Sequence, residues 1–127
     1  MFFEEGDIIY LNNTKFKDGI LDSSIKGHPV LVLKICDEVF YYLIITSNIK
    51  RGLKPLSYYK IYKDKHNKLR KAISFVNVKN IYHRNIDNYI AIGRLKDSDY
   101  MNVLKNLKYF QENIKSDEEY TKLKKVL

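Results

Sequence analysis

Hydrophobic residues cluster or alternate over short stretches of this chain, a pattern typical of β-strands. The stretches predicted to be strands are residues 7–11, 30–35, 39–46, 56–62, 72–78, 81–82 and 89–92. Residues 30–35 and 39–46 are separated by a short polar segment, so we expect them to form a hairpin of buried strands. The polar stretches 12–28, 48–55 and 63–71 are expected to be loops.

The pattern changes at Asp97, where the spacing of apolar residues becomes that of an amphipathic helix. These residues are Tyr100, Val103, Leu104, Leu107 and Phe110. Asp97 or Ser98 can cap this helix. Residues 116–119 form a capping box and predict a second, shorter helix. Strands followed by helices predict a mainly β fold, a small curved antiparallel sheet or barrel with C-terminal helices.

Length and composition indicate one domain covering residues 1–127, because the chain has 127 residues of which 45% are hydrophobic. Its longest fully apolar run, residues 39–45, is far shorter than the ~20 residues of a membrane-spanning helix. The sequence therefore predicts no membrane partner. The acidic N-terminal residues do not fit an export signal, and Cys36 is the single cysteine, so a cytoplasmic location is expected.

The positive charge is concentrated in one part of the chain. Residues 50–84 contain 11 basic side chains and one acidic side chain, a net charge of +10, whereas the whole chain carries +8. A local excess of this size is typical of proteins that bind a polyanion such as nucleic acid. A lysine-rich surface that serves only solubility is the alternative.

Motifs for bound metals and nucleotides are absent from the sequence. It has no Cys/His cluster at zinc spacing, no glycine-rich phosphate loop and no nucleophile elbow. Its three histidines, His28, His66 and His83, are far apart in sequence. We therefore expect no metal and no cofactor, and any catalysis would use side chains directly.

Several segments, in order, resemble the MazF/PemK toxins of bacterial toxin–antitoxin systems. They are residues 6–10 (GDIIY), 26–33 (KGHPVLVL), 44–47 (IITS), 74–77 (SFVN) with 80–82 (NIY), and 92–95 (IGRL) followed by the helix. The resemblance covers about residues 6–110. It implies an SH3-like barrel, a homodimer, and a metal-independent endoribonuclease that cleaves single-stranded RNA to a 2′,3′-cyclic phosphate and a 5′-hydroxyl.

The resemblance also implies a cognate antitoxin as partner, either a protein or, as in the related ToxN-like toxins, an RNA. Two other readings of the sequence stay open. One is a barrel that binds RNA or DNA without cleaving it, and the other is an interaction domain whose lysines serve only solubility.

The resemblance places the catalytic residues at His28, Thr46 and Ser47. The arginine of the family falls at His28, where an imidazole can transfer a proton instead of supplying a fixed positive charge. His28 can equally be a structural residue at a strand start before Pro29. Thr46 and Ser47 end a predicted strand, where their hydroxyls can bind a phosphate oxygen or simply form loop hydrogen bonds.

Basic and aromatic residues after this strand are candidates for RNA binding. Lys50, Arg51 and Lys54 follow Ser47 and are expected to contact the RNA backbone, or, for Arg51, to supply the positive charge that the family's arginine would provide. In the next predicted strand, aromatic and basic residues are interleaved, a pattern suited to base stacking beside phosphate contacts. These residues are Tyr58, Tyr59, Lys60, Tyr62 and Lys63. Because strand side chains alternate between two faces, some of the tyrosines are expected to pack in the core instead.

Overall fold

The computed structural model describes residues 3–11, 15–16, 20–21, 28–47, 58–107 and 114–116. The elements within these residues are ten strands and one helix. They are β1 (Asp7–Leu11), β2 (Lys15–Phe16), β3 (Ile20–Leu21), β4 (His28–Cys36), β5 (Val39–Thr46), β6 (Tyr58–Tyr62), β7 (Ile73–Asn77), β8 (Ile81–Asn85), β9 (Ala91–Arg94), α1 (Asp97–Leu107) and β10 (Ile114–Ser116).

Eight of these strands form one sheet, which confirms the prediction of a mainly β fold. The order is β10-β8-β5-β4-β1-β9, and β7 joins both β5 and β6, whereas β2 and β3 form a separate pair. Pairing in the large sheet is antiparallel except between β10 and β8, which run parallel. Pairing among the described residues does not close this sheet into a barrel.

Strand β5 is the centre of the sheet because it pairs with three other strands. One of its edges pairs with β4. Its other edge pairs with β8 through residues 39–42 and with β7 through residues 45–46. The β6–β7 hairpin therefore branches from the end of β5, next to the candidate residues Thr46 and Ser47.

Both faces of the central strands are buried, since alternate residues of β5 enter two different apolar clusters. Leu43 and Ile45 belong to the first cluster, together with Ile61 and Val76 of the β6–β7 hairpin and Val103 of α1. The second cluster lies on the opposite face and includes Phe3, Ile9, Leu11, Val30, Val32, Phe40, Tyr42, Ile44 and Tyr82. This two-sided burial explains why β4 and β5 have nearly continuous apolar sequences.

Helix α1 packs on the first cluster through the apolar face that the sequence predicts. Val103 is fully buried there, and the hydroxyl of Tyr100 donates a hydrogen bond of 3.0 Å to the carbonyl of Leu33 in β4. The hydroxyl of Tyr59 in β6 donates to Asp99 Oδ1 over 2.9 Å. These two bonds attach the first turn of the helix to both parts of the sheet.

The main strands and the helix lie where the sequence predicts them, with differences of a few residues at their ends. The prediction that residues 12–28 form one loop was wrong, because β2 and β3 pair within this stretch and β4 begins at His28. The short strand β10 was not predicted. Its last residue, Ser116, is the first residue of the predicted second helix, and the rest of that helix lies outside the described residues, as does Phe110.

Candidate functional site

His28 and Thr46 lie at the same end of the sheet. Val30 of β4 pairs with Ile44 of β5, and His28 and Thr46 each lie two residues beyond this pair, so side-chain alternation puts them on the same face as Val30 and Ile44. Residues opposite each other in neighbouring strands project from the same face of the sheet. The two strands thus bring together the candidate imidazole and the candidate hydroxyl, which are 18 positions apart in sequence.

The register extends this arrangement across two more strands. Thr46 pairs with Phe75 of β7, and Phe75 pairs with Lys60 of β6. Thr46, Phe75 and Lys60 therefore form a row across three strands, and His28 lies on the same face at the end of the neighbouring strand β4. These four residues are here called the cross-strand row. Because neighbouring strands are ~4.8 Å apart, the row is roughly 15 Å long. It combines an imidazole, a hydroxyl, an aromatic ring and an ammonium group on one face.

His28 is half-buried at the start of β4, and this position determines its chemistry. Its Nδ1 lies 3.2 Å from the carbonyl oxygen of Pro29. A carbonyl can only accept, so in this hydrogen bond Nδ1 carries the proton, and the Nε2 of the neutral ring keeps its lone pair. Burial lowers the pKa of His28 from its ordinary value of 6.5, and the bond to Pro29 opposes this shift. Near pH 7 the ring is therefore neutral and able to accept a proton.

The other candidate residues of the site differ in exposure. Thr46 is half-buried at the end of β5, and Ser47 is exposed directly after it. Tyr58 packs edge-on against Phe75, with 6.5 Å between ring centroids and an angle of 84° between the planes. Lys60 is exposed between them and the hairpin tip. The predicted RNA-binding residues Lys50, Arg51 and Lys54 lie outside the described residues.

Tyr59 does not fit the role in base stacking considered for it, because its side chain faces the core side of β6. Its hydroxyl donates to Asp99 Oδ1 and accepts a bond of 3.2 Å from Asn102 Nδ2. Burial, together with the neighbouring Asp99 carboxylate, raises the pKa of Tyr59. This tyrosine connects β6 to α1 and belongs to the structural framework.

Phe75 belongs to the cross-strand row, but the sequence analysis did not name it as a candidate site residue. The sequence contains one relevant signal: Phe75 alternates with Ser74 and Val76, which are both buried. That alternation places Phe75 on the other face of β7, where it is half-buried and packs against Tyr58. Only the register of β7 with β5 and β6 places it between Thr46 and Lys60.

Comparison of the chain with known protein families finds no matching family model, and comparison with curated proteins finds no significant match. Within the described ranges, none of the helical structure is both long enough and apolar enough to cross a lipid bilayer.

Proposed function

We propose that this chain is an endoribonuclease that cleaves single-stranded RNA without a metal ion, with an SH3-like barrel of the MazF/PemK kind. The observation that carries the proposal is the cross-strand row, in which His28, Thr46 and Lys60 share one face of the sheet. Cleavage of RNA by its own 2′-hydroxyl needs a proton acceptor and donors to the phosphate, and the row contains both.

In the proposed reaction, Nε2 of His28 accepts the proton of a ribose 2′-hydroxyl. The 2′-oxygen then attacks the adjacent phosphorus, and a new bond from the 2′-oxygen to phosphorus forms. The bond from phosphorus to the 5′-oxygen breaks, that oxygen takes a proton from a water molecule, and His28 returns its proton to the hydroxide so formed. The products are a 2′,3′-cyclic phosphate and a 5′-hydroxyl. The hydroxyls of Thr46 and Ser47 donate to the non-bridging phosphate oxygens, whose charge increases in the transition state.

Phe75 and Lys60 bind the part of the RNA next to the reacting phosphate. The ring of Phe75 is supported from the side by Tyr58 and offers a surface on which one base stacks. The exposed ammonium group of Lys60 pairs with a neighbouring phosphate. Together these contacts hold the 2′-hydroxyl beside His28, a positioning effect that accounts for much of the rate of such reactions.

A second candidate function is nucleic-acid binding without cleavage. One observation favours it: His28 has a lowered pKa, so near neutral pH this position lacks the fixed positive charge that arginine supplies in the family it resembles. Under this alternative the same row binds RNA or DNA, and the nucleic acid dissociates from the protein uncleaved.

The experiment that separates the two functions incubates the purified protein with long single-stranded RNA in the presence of EDTA. The proposal expects fragments that end in a 2′,3′-cyclic phosphate and begin with a 5′-hydroxyl. Retention of intact RNA by the protein would instead support the binding module. A chain that neither cleaves nor binds RNA would contradict both functions and leave the interaction domain.

Variants at His28 then test its role. His28→Ala should lower the cleavage rate by roughly 10²–10⁴-fold, which is the usual contribution of a positioned acid or base. His28→Arg should be equally slow if the residue transfers a proton, and active if a positive charge is what the position supplies. The matched control is His83→Ala, another half-buried histidine, whose partner Tyr41 lies about 16 Å along β5 from Thr46. It should cleave at the wild-type rate.

The hydroxyl of Thr46 is tested by Thr46→Val, which keeps the branched shape of the side chain and removes the donor. Cleavage should slow while the thermal unfolding temperature stays close to that of the wild type. A Thr46→Ser variant keeps the hydroxyl and should restore most of the rate. Equal rates in the valine and wild-type proteins would remove Thr46 from the mechanism.

Because of the resemblance, the proposal also includes that the chain forms a homodimer and binds a cognate antitoxin, which is either a protein or an RNA. A dimer mass at micromolar concentration is the expected result in solution, and a monomer mass would count against it.

Binding of RNA should weaken with salt, with a log–log slope of about −0.7 for each phosphate neutralised on a single strand. Replacing Lys50, Arg51 and Lys54 together should flatten this slope, and an unchanged slope would place the RNA elsewhere.

A further inference from the structure

The outer face of the β6–β7 hairpin exposes an apolar pair beyond the cross-strand row. Tyr62 is 62% exposed, and its register partner Ile73 is 38% exposed. The other face of the same hairpin is fully buried at Ile61 and Val76. Tyr62 and Ile73 are therefore outside the core, and the burial of the hairpin does not explain why they are apolar.

Tyr62 is close to the cross-strand row and to a positive charge. It lies two residues beyond Lys60 along β6, on the same face and roughly 7 Å further along the strand. The Nζ of Lys60 lies 5.3 Å from the centroid of the Tyr62 ring, within the distance of a cation–π contact. The ring is thus held beside an ammonium group while most of its surface faces solvent.

The loop that follows Tyr62 has a fixed conformation. The amide of Lys63 donates to the carbonyl of Ala72 over 2.9 Å and closes the hairpin. Asn67 is fully buried, and its Oδ1 accepts from the amides of Asp64 and Leu69. Its Nδ2 donates to the carbonyl of Tyr62 over 3.0 Å. The buried amide therefore connects the backbone of Tyr62 to the loop, so the exposed ring stands on an ordered support.

The same loop carries an excess of positive charge. Residues 58–79 contain seven basic side chains and one acidic side chain, Asp64. Asp64 uses Oδ1 to accept from the amides of His66 and Asn67. Five exposed basic residues of the loop have no ion-pair partner in the described part of the chain: Lys63, Lys65, Lys68, Arg70 and Lys71. An exposed ring followed by a loop of such cations complements a partner that has phosphates and flat bases.

We propose that Tyr62, together with its register partner Ile73 and the five basic residues of the loop that follows, is a second base-stacking surface for single-stranded nucleic acid, named here the hairpin-tip platform. A nucleic-acid chain bound at Phe75 and Lys60 continues along β6. Its next base stacks on Tyr62, and its phosphates contact the loop. The path of the nucleic acid from Phe75 to Tyr62 rests on the proposed function. The binding of a base to Tyr62 does not require that the protein cleaves RNA.

The test measures binding by fluorescence anisotropy with a labelled 2′-O-methyl uridine oligonucleotide, which has no free 2′-hydroxyl and is not cleaved. Tyr62→Ala should weaken binding by about 5- to 150-fold, the range expected when one base loses its aromatic partner. Tyr62→Phe keeps the stacking ring and should bind within about twofold of the wild type. The matched control is Met101→Ala, which removes an exposed apolar side chain on α1 and should bind like the wild type.

Thermal unfolding of each variant checks the fold, and it should change little because Tyr62 is mostly exposed. An affinity of Tyr62→Ala equal to that of the wild type would overturn the hairpin-tip platform, as would a protein that does not bind the oligonucleotide. The two proposals fail separately. RNA cleavage by a protein in which Tyr62→Ala binds normally refutes only the platform, and Tyr62-dependent binding without cleavage refutes only the endoribonuclease.

Discussion

Replacing Asn67 with alanine should destabilise the protein more than replacing any exposed residue of the same loop. The Asn67 side chain is fully buried and takes part in three hydrogen bonds, of 3.2 Å with the amide of Asp64, 3.1 Å with the amide of Leu69 and 3.0 Å with the carbonyl of Tyr62. Alanine removes all three and leaves these backbone groups without the side chain that satisfied them.

The expected loss can be worked out from the surroundings of each backbone group. Leu69 is 2% exposed, so its amide loses its partner in a place where water does not easily replace it, at a cost of about 1–3 kcal/mol. The bonds to Asp64 and Tyr62 lie nearer the surface and contribute about 0.5–1 kcal/mol each. The free energy of unfolding should therefore fall by about 2–5 kcal/mol, a large part of the ~5–15 kcal/mol of a typical domain.

Urea denaturation followed by circular dichroism measures this loss, with the slope of the transition compared between variants. The matched control is Asn77→Ala. Asn77 is half-buried, and its Oδ1 accepts from the amides of Lys79 (2.9 Å) and Asn80 (3.4 Å) in an exposed turn. Water can replace these bonds, so the control should lose only about 0.5–1.5 kcal/mol. Equal losses for the two variants would refute the conclusion that Asn67 fixes the loop from inside.

Three further predictions concern stability. Burial lowers the pKa of His28 below 6.5, so the unfolded chain binds a proton at this histidine more readily than the folded protein does. The free energy of unfolding should therefore fall as the pH drops below ~6.5 and level off below the pKa of the folded state. Urea titrations at several pH values measure this dependence, and His28→Gln should reduce it. Gly93→Ala should be strongly destabilising in thermal melts, because the added Cβ would clash with the backbone carbonyl of Asn67. An unchanged melting temperature would show that β9 does not touch the loop. Tyr59→Phe should cost about 1 kcal/mol in urea unfolding, since Asp99 loses its phenol donor, and no loss would mean that this bond does not help to hold α1.

Much of the secondary structure follows from the sequence because it depends on local patterns. The strand β1 agrees with its predicted bounds, and helix α1 begins at Asp97, where the helical spacing starts. Tyr62 and Lys60 alternate with Ile61, a pattern that already predicts an exposed and a buried face for β6. The sequence also locates the basic segment, since charge can be counted without a structure.

The tertiary structure decided which of these residues meet. His28, Thr46, Phe75 and Lys60 come from four strands, and only the register between these strands aligns the last three and puts His28 on the same face. Register depends on pairing between distant parts of the chain and on which face is buried, and a shift of one residue would turn each side chain to the other face. The burial of Asn67 also depends on tertiary structure. A polar asparagine in a loop is expected to be exposed, and only the folded loop brings the three backbone groups of Asp64, Leu69 and Tyr62 to its side chain.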